Sequence, residues 1–319
     1  MKKQKTKAVR KIVSLLLIAV MLFTLPGIPV LAKTTEETDN EAESVERTGE
    51  TREMPSNPVH HCTQKNDGSD YTEWSYVYFG SYPQSEVTGD DLTEEIIGAS
   101  YDANGDAWVN GVKYRRISQK NINNTQHFGY VAYRYFRWER IKWRVLKNNG
   151  DTLFVIADQG LDCKDYHEER MSITWENASL RNWLNNDFYV TAFSIKEQQA
   201  ILEQIVLNED CIFSHGTTEG GNDTNDKIFL LSTSDMTNLE YGFCGDQMYT
   251  FSESRMMQTS DYAYVMGADD AEKNEDYSGN CSWWLRSPGD LSKTAAYVPY
   301  YGTVQPLGCY VDYFDLERV

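Results

Sequence analysis

The sequence is poor in positive charge. Among its 319 residues, 30 lysines and arginines stand against 48 aspartates and glutamates, and the formal net charge is −18. A chain this acidic repels phosphate backbones and anionic membranes and favours neutral or cationic ligands. We therefore expect no nucleic-acid partner.

Catalytic and cofactor motifs are also absent. The sequence contains no nucleophile elbow, zinc-protease motif, phosphate-binding loop or dinucleotide fingerprint. No two cysteines are separated by two residues, which argues against a redox motif and a zinc ribbon. We therefore expect no cofactor, no resident metal and no assignable catalytic residue.

Long apolar runs are lacking except at the N-terminus. Residues 12–25 are apolar, follow a basic start, and precede Val30-Leu31-Ala32, whose small or aliphatic side chains suit a cleavage site. The run is shorter than the roughly 20 residues that span a bilayer as a helix. We expect residues 1–32 to be a signal peptide cleaved after Ala32, with an uncleaved anchor as the alternative. The mature protein is then secreted or at the cell surface, without insertion into the membrane.

The segment after this run is acidic and holds few large apolar side chains. Residues 33–58 are rich in Glu, Thr, Ser and Asn, and such a segment cannot bury enough surface to offset its chain entropy. We expect a disordered linker, with a docking peptide as the alternative.

Six cysteines follow the apolar run at wide spacing. An even number suits disulfides in an oxidising compartment, but six cysteines allow fifteen pairings, and sequence cannot choose among them. Disulfides and buried thiols both stay open. The cysteines are Cys62, Cys163, Cys211, Cys244, Cys281 and Cys309.

Short aromatic and β-branched runs, separated by Asn-Gly and Gly-rich turns, predict many short strands. Two Asn-Gly turns within 101–114 predict a three-stranded meander. A hairpin is expected from 140–146 and 152–157, with Trp143, Val145, Leu153 and Val155 facing inward.

The middle of the chain has helical spacing. Helices are expected at 179–185 and 194–206, and a cap for a short helix at 232–235. Strands on both flanks of this segment predict an α+β fold of many short antiparallel strands. We place a single domain at 59–319, with 70–137 as a candidate N-terminal β subdomain. Further strands are expected at 75–80, 228–231, 282–286, 295–300 and 310–314, with a loop at 266–280.

Two acidic clusters invite a calcium interpretation. Asp102, Asn104 and Asp106 alternate as in a calcium loop, but the glycine is displaced and Lys113 stands where glutamate is expected, so a β-turn is favoured. The acidic loop 269–276 has oxygens for a hard cation, although a solvated loop is the better interpretation.

Two further clusters contain histidine and cysteine. His60-His61-Cys62 supplies metal-ligand types, but neighbours in an extended chain point in opposite directions. Cys163 lies four residues before His167, yet no third group is available to orient the histidine as a base. Neither cluster predicts a site.

The aromatic content is the most informative feature. The 21 tyrosines outnumber the 8 tryptophans and 12 phenylalanines together. Tyrosine has a flat apolar face and a polar tip, which suit sugar and peptide recognition. In Trp283-Trp284-Leu285-Arg286, strand alternation turns one tryptophan outward beside Arg286, where it could stack on a ligand. The alternative is that both tryptophans are buried anchors.

Six blocks of residues occur in order along the chain: FGSYPQ at 79–84, IKWRVL at 141–146, Trp175 with SLRNWLN at 179–185 and Phe188, DKIFLLS at 226–232, Tyr262-Ala263, and WWLRSPG at 283–289. Together they resemble a family of exported bacterial domains of unknown function. In shape the pattern is similar to C-type-lectin-like folds, including relatives of the sulfatase-modifying formylglycine-generating factor. The resemblance implies no established chemistry.

The sequence departs from that family at its end. Family members usually finish with a Gly-Val-Arg-Pro-Ala-Leu strand, whereas this sequence finishes with Leu316-Glu317-Arg318-Val319. The resemblance therefore implies a domain without its last strand, which leaves an open sheet edge. The closely spaced catalytic cysteine pair of the formylglycine-generating relatives is also absent.

These observations favour an exported, non-catalytic binding module for carbohydrate or a surface protein. The expected ligand-binding residues are Trp283, Trp284, Arg286 and Tyr300.

The alternative is a secreted enzyme acting on a cell-wall or host polymer. It needs a pair of carboxylates or an activated thiol in a pocket, and Asp162, Glu168 and Glu169 are available for that role. A third alternative is a structural surface protein with no ligand.

Overall fold

A computed structural model describes residues 16–17, 20–24, 54–62, 70–118, 132–245, 247–268 and 277–312. Over these ranges the chain contains both strands and helices and is richer in strand, with short helices between sheets whose strands are mostly antiparallel. No helix in this described part is both long and apolar enough to cross a membrane.

Most strands are short, and one long strand organises the rest. In chain order they are β1 (Leu16–Leu17), β2 (Val20–Thr24), β3 (Val59–His61), β4 (Tyr71–Glu73), β5 (Tyr76–Glu86), β6 (Asp106–Val109), β7 (Val112–Ser118), β8 (Tyr133–Asn148), β9 (Thr152–Ala157), β10 (Gln159–Gly160), β11 (Asp162–Cys163), β12 (Ile201–Leu202), β13 (Gln204–Val206), β14 (Cys211–Phe213), β15 (Gly216–Thr218), β16 (Thr224–Asp226), β17 (Ile228–Phe229), β18 (Gln258–Thr259), β19 (Trp283–Pro288), β20 (Thr294–Val298) and β21 (Gln305–Tyr310).

The α-helices of the described residues are short. They are α1 (Glu94–Ile97), α2 (Ser179–Trp183), α3 (Tyr189–Ala192), α4 (Ile195–Ala200) and α5 (Asp261–Met266), with a π-helical turn at Leu184–Phe188 between α2 and α3. The helices α2, α3 and α4 follow one another in the middle of the chain.

The main sheet is built on β8, which pairs with β5, β7 and β9. Its strand order runs β12, β2, β9, β8, β7, β6, with β17 also paired to β2 and β5 to β8. The β8–β9 hairpin is confirmed, since Trp143, Val145, Leu153 and Val155 are all fully buried.

A second sheet has the order β11, β1, β19, β20, β21. Its strand β19 lies between two neighbours, and all six of its residues are buried. Helix α5 packs on β5 and β11, and α3 packs on β5. These contacts bring the two sheets and the helices around one large core.

The predicted three-stranded meander at 101–114 is wrong in its first strand. Asn110-Gly111 does form the turn between β6 and β7, and β7 continues the meander into β8. At the earlier turn, the Asp102 carboxylate accepts hydrogen bonds from the backbone N–H groups of Asn104 and Asp106. This local bonding makes a turn with no strand before it, which fits the β-turn interpretation of this segment.

The predicted helix at 194–206 ends early. Ser194 begins α4 with a capping box, but the helix stops at Ala200. Ile201–Leu202 then pairs with β2, and Gln204–Val206 pairs with β16. The β-branched residues here favour strands when a pairing partner is available, and both partners, β2 and β16, lie outside the segment predicted as a helix.

The late strands are placed nearly as expected. Two match the predictions at 282–286 and 295–300, but the third, β21, lies at 305–310 instead of 310–314. Residues 313–319 are outside the described part, as are 269–276 of the predicted acidic loop. The sequence reasoning did not predict helix α5.

The segments before β5 are attached to the body of the fold. Cys62 forms a disulfide with Cys244, which excludes every one of the fifteen possible pairings that joins either of these cysteines to a different one. Within the predicted linker, the Ser56 N–H donates to Ser75 Oγ, and the Asn148 N–H donates to Asn57 Oδ1. Residues 33–53 of that linker are outside the described part.

The candidate subdomain at 70–137 shares the main sheet, because β5 and β7 both pair with β8. It also holds a small apolar cluster separate from the main core, made of Val87, Ile96, Tyr114 and Tyr135.

Candidate functional site

A cleft of about 590 Å³ lies where the β6–β7 hairpin, β5, β11 and the helices α2 and α5 meet. We call it the polar cleft, because most of the side chains that line it are charged or carry a hydroxyl group. Its main lining residues are Tyr82, Asp106, Arg115, Asp162, Trp183 and Tyr262.

Asp106 is the centre of the charged side of the polar cleft. Arg115 donates to both of its carboxylate oxygens, and Lys113 Nζ lies 3.1 Å from Oδ2. The Trp138 indole N–H donates to Oδ1 over 3.2 Å, and Lys113 Nζ lies 3.5 Å from the Trp138 ring centroid. The hairpin register places these groups together, since Asp106 is paired with Arg115 across β6 and β7.

This arrangement keeps Asp106 ionised. Burial alone would raise the pKa of its carboxyl, but hydrogen bonds and charge from Arg115 and Lys113 outweigh burial and hold the pKa below its usual value. Asp106 therefore acts as a fixed acceptor and not as a proton donor at neutral pH.

The opposite side of the polar cleft is a buried tyrosine–carboxylate pair. Tyr82 donates its hydroxyl to Asp162 Oδ2 over 2.5 Å, and the backbone N–H of Cys163 donates to Oδ1 over 2.7 Å. The Tyr262 ring meets the Tyr82 ring edge-on, with centroids 5.7 Å apart.

Both tyrosines stay protonated. Burial first, and then the Asp162 charge, raise the pKa of Tyr82 well above its usual value and raise that of Tyr262 as well. Both hydroxyl groups therefore keep their protons over the whole neutral range, and Tyr82 donates its proton to Asp162.

The rim of the polar cleft combines an aromatic ring with two charged side chains, Lys164 and Asp187. Trp183, at the end of α2, is half-buried, and Lys164 Nζ lies 4.8 Å from its ring centroid. Asp187 is exposed on the π-helical turn and also lines the cleft. Fixed donors, fixed acceptors and an aromatic face together suit a small polyhydroxylated ligand.

Contrary to the sequence prediction, Trp283 and Trp284 do not alternate between a buried and an exposed face of the strand. Trp283 is 1% exposed and donates to the Arg255 carbonyl, and Trp284 is fully buried and donates to the Lys164 carbonyl. Strand β19 is covered on both faces, so neither ring is open for stacking. Their placement matches the alternative interpretation, in which both are buried anchors.

The other two predicted binding residues lie apart. Arg286 is buried, and its Nη1 donates to Asp235 Oδ2 and to the Leu230 carbonyl, each over 2.8 Å. Tyr300 is half-buried in a row of rings, 5.8 Å from Tyr277 and 5.0 Å from Tyr301. Neither residue lines the polar cleft.

The carboxylates named for the enzymatic alternative are also separated. Asp162 lies in the polar cleft, whereas Glu168 and Glu169 are exposed and do not line it. His167, named with Cys163 for a thiol site, accepts the backbone N–H of Ser179 at Nδ1, at the start of α2.

The remaining metal-type clusters have structural partners. His61 is hydrogen-bonded to Glu73 and stacked on Tyr71, and Cys62 is in the disulfide. No group of three or more potential metal ligands is found among the described residues.

Sequence reasoning named some residues of the polar cleft without bringing them together. Tyr82 stands in the FGSYPQ block, Asp106 in the alternating acidic turn, and Asp162 among the carboxylates of the enzymatic alternative. Arg115 belongs to none of these patterns, and the signal for it is its position across the Asn110-Gly111 hairpin from Asp106.

One comparison with known proteins gives a match. Residues 150–315 match the model of a family described as a domain of unknown function, DUF6273. No curated protein and no solved structure matches the chain. The polar cleft takes Asp162, Trp183 and Tyr262 from the matched residues, and Tyr82, Asp106 and Arg115 from the residues before them.

Proposed function

This chain belongs to the DUF6273 family, since the matched residues make up more than half of it, and we propose that it is a non-catalytic binding module for carbohydrate. The ligand occupies the polar cleft. The fold is proposed to be C-type-lectin-like, which its mixed arrangement of short antiparallel strands and helices supports.

The observation that carries this proposal is the pairing of fixed polar groups with an aromatic rim in one cleft. Sugar hydroxyl groups need both donors and acceptors. Lys113 and Arg115 supply N–H donors, and Asp106 and Asp162 supply acceptor oxygens. Trp183 offers a ring for the apolar face of a sugar. Because these groups already hold one another in place, little side-chain ordering is needed on binding.

The state of the Asp106 carboxyl supports binding over catalysis. Glycoside hydrolysis needs a carboxylic acid whose pKa is raised toward neutral, so that it can protonate the leaving group. The pKa of Asp106 is shifted in the opposite direction.

Export is part of the proposal. The disulfide between Cys62 and Cys244 supports it, because disulfides persist in oxidising compartments. The acidic net charge of −18 favours neutral and amino sugars over uronic acids.

The proposal is tested by replacing the aromatic rim. Titration calorimetry with neutral and amino-sugar oligosaccharides should identify one class that binds the wild-type chain. Trp183→Ala should then weaken binding by about tenfold or more, since stacking on the ring is lost. Trp108→Ala is the matched control, because Trp108 is 71% exposed and does not line the polar cleft.

The Trp108→Ala control should leave the affinity unchanged. Equal affinities for wild type and Trp183→Ala would show that the ligand binds elsewhere on the surface. If no saccharide of the panel binds, the carbohydrate proposal is wrong, and a surface-protein ligand takes its place.

A further inference from the structure

The apolar N-terminal segment lies inside the main sheet. Strand β2 pairs antiparallel with β9 through five consecutive residue pairs, from Val20 opposite Ile156 to Thr24 opposite Thr152. On its other edge it pairs with β12 and β17. Both hydrogen-bonding edges of β2 are therefore occupied, as in an internal strand.

The side chain of Met21 shows the same placement. It is fully buried and belongs to the main core. Its neighbours across the two edges, Val155 and Ile228, are fully buried as well. A polar or charged residue at this position would have to enter the core without a partner.

Strand β1 has a corresponding place in the second sheet. Leu16 is opposite Cys163 of β11 and also pairs in parallel with Trp283 of β19. The strands β1 and β2, which are close together in the sequence, therefore join strands in both sheets. Without β2, the main sheet ends at β9 on one side, and β12 and β17 lose the strand that connects them to that sheet.

We propose that the gap between β9 on one side and β12 and β17 on the other is a strand-acceptor site, and that its occupant is this chain's own segment Val20–Thr24. The segment suits the site, because it is uncharged and rich in β-branched and aromatic residues. Strand addition of this kind takes its affinity from main-chain hydrogen bonds and its specificity from alternate side chains.

The proposal gives the predicted signal peptide a second role. Cleavage after Ala32 breaks the chain eight residues beyond the end of β2, and the paired strand stays bound through the sheet. The mature protein then keeps its leader as a non-covalent strand.

The experiment begins with the full chain, carrying a site-specific protease sequence between residues 33 and 53. The folded protein is cut, and the products are separated by size-exclusion chromatography and identified by mass spectrometry. The N-terminal fragment should elute with the body in native buffer, and it should separate from the body in denaturant. Its release under native conditions, with a folded or an aggregated body, would overturn the proposal.

A second measurement needs no substitution in the folded protein, because the substitution is made in an added peptide. A labelled peptide of residues 14–26 is added in excess to the cut protein, where it should replace the bound fragment, and to the uncut protein, where it should exchange at least tenfold more slowly. The same peptide with Met21→Asp is the control and should bind the cut protein at least tenfold more weakly. Equal uptake of the two peptides would show that the site does not recognise this strand.

Discussion

At the scale of single residues, Asp165 makes stability depend on pH. Burial first, and then repulsion by Asp312, raise its pKa to about 7, and its Oδ1 is buried with no hydrogen-bond partner among the described residues. The folded state therefore holds a proton that the unfolded state releases near pH 4. Stability should fall as the pH rises from about 4 to about 7, since the folded state binds more protons over that window.

Asp165→Asn should remove this dependence. The variant should have a higher thermal midpoint than wild type at pH 8 and a similar one at pH 4, measured by circular dichroism across that range. Asp151→Asn, at an exposed turn residue, is the control and should follow the wild-type profile. A parallel profile for Asp165→Asn would show that this carboxyl ionises normally in the folded protein.

At the scale of elements, Glu197 connects α4 to the main sheet. Its carboxylate closes the capping box with Ser194 and accepts hydrogen bonds from the Gly80 N–H and from Arg140. Ser194→Ala should lower the free energy of unfolding by about 1 kcal/mol, since one cap is lost. Glu197→Ala should lower it further, because the contacts with β5 and β8 are lost as well. Urea unfolding of the two variants measures both effects. Equal losses of unfolding free energy would show that Glu197 stabilises the protein only through the helix cap.

Local signals predicted the elements whose partners are close in sequence. The β8–β9 hairpin follows from alternating residues around Asn149-Gly150, and the start of α4 from the helical spacing that begins at Ser194. The end of α4 was missed, because the strands that pair with residues 201–206 come from positions 20–24 and 224–226. No local pattern contains that information.

The same limit applies to the candidate site. Tyr82 and Asp162 are 80 residues apart and still share a hydrogen bond, and Tyr262 joins them from α5. Trp283 and Trp284 form a sharper local pattern, but β19 is covered on both faces, so alternation did not predict their exposure. Burial on both faces depends on neighbouring strands that the local string does not reveal.

At the scale of the whole molecule, the disulfide links segments 182 residues apart. Cys62 directly follows β3, and Cys244 directly precedes Gly245, whose carbonyl accepts a hydrogen bond from the buried Arg255. Removing the link with Cys62→Ser and Cys244→Ser together should lower the free energy of unfolding by about 2–4 kcal/mol, chiefly because the unfolded chain gains freedom. Denaturant unfolding measures this loss.

Reductant supplies the control for that prediction. It should shift the wild-type unfolding transition toward that of the double variant and leave the double variant itself unchanged. If the double variant instead unfolds at the wild-type denaturant concentration, the β3–β4 hairpin is held by its non-covalent contacts alone. Those contacts include the hydrogen bond that Thr72 Oγ1 donates to the Gly242 carbonyl. In that case, Thr72→Val in the double-variant background should cause the loss of stability that removal of the disulfide did not cause.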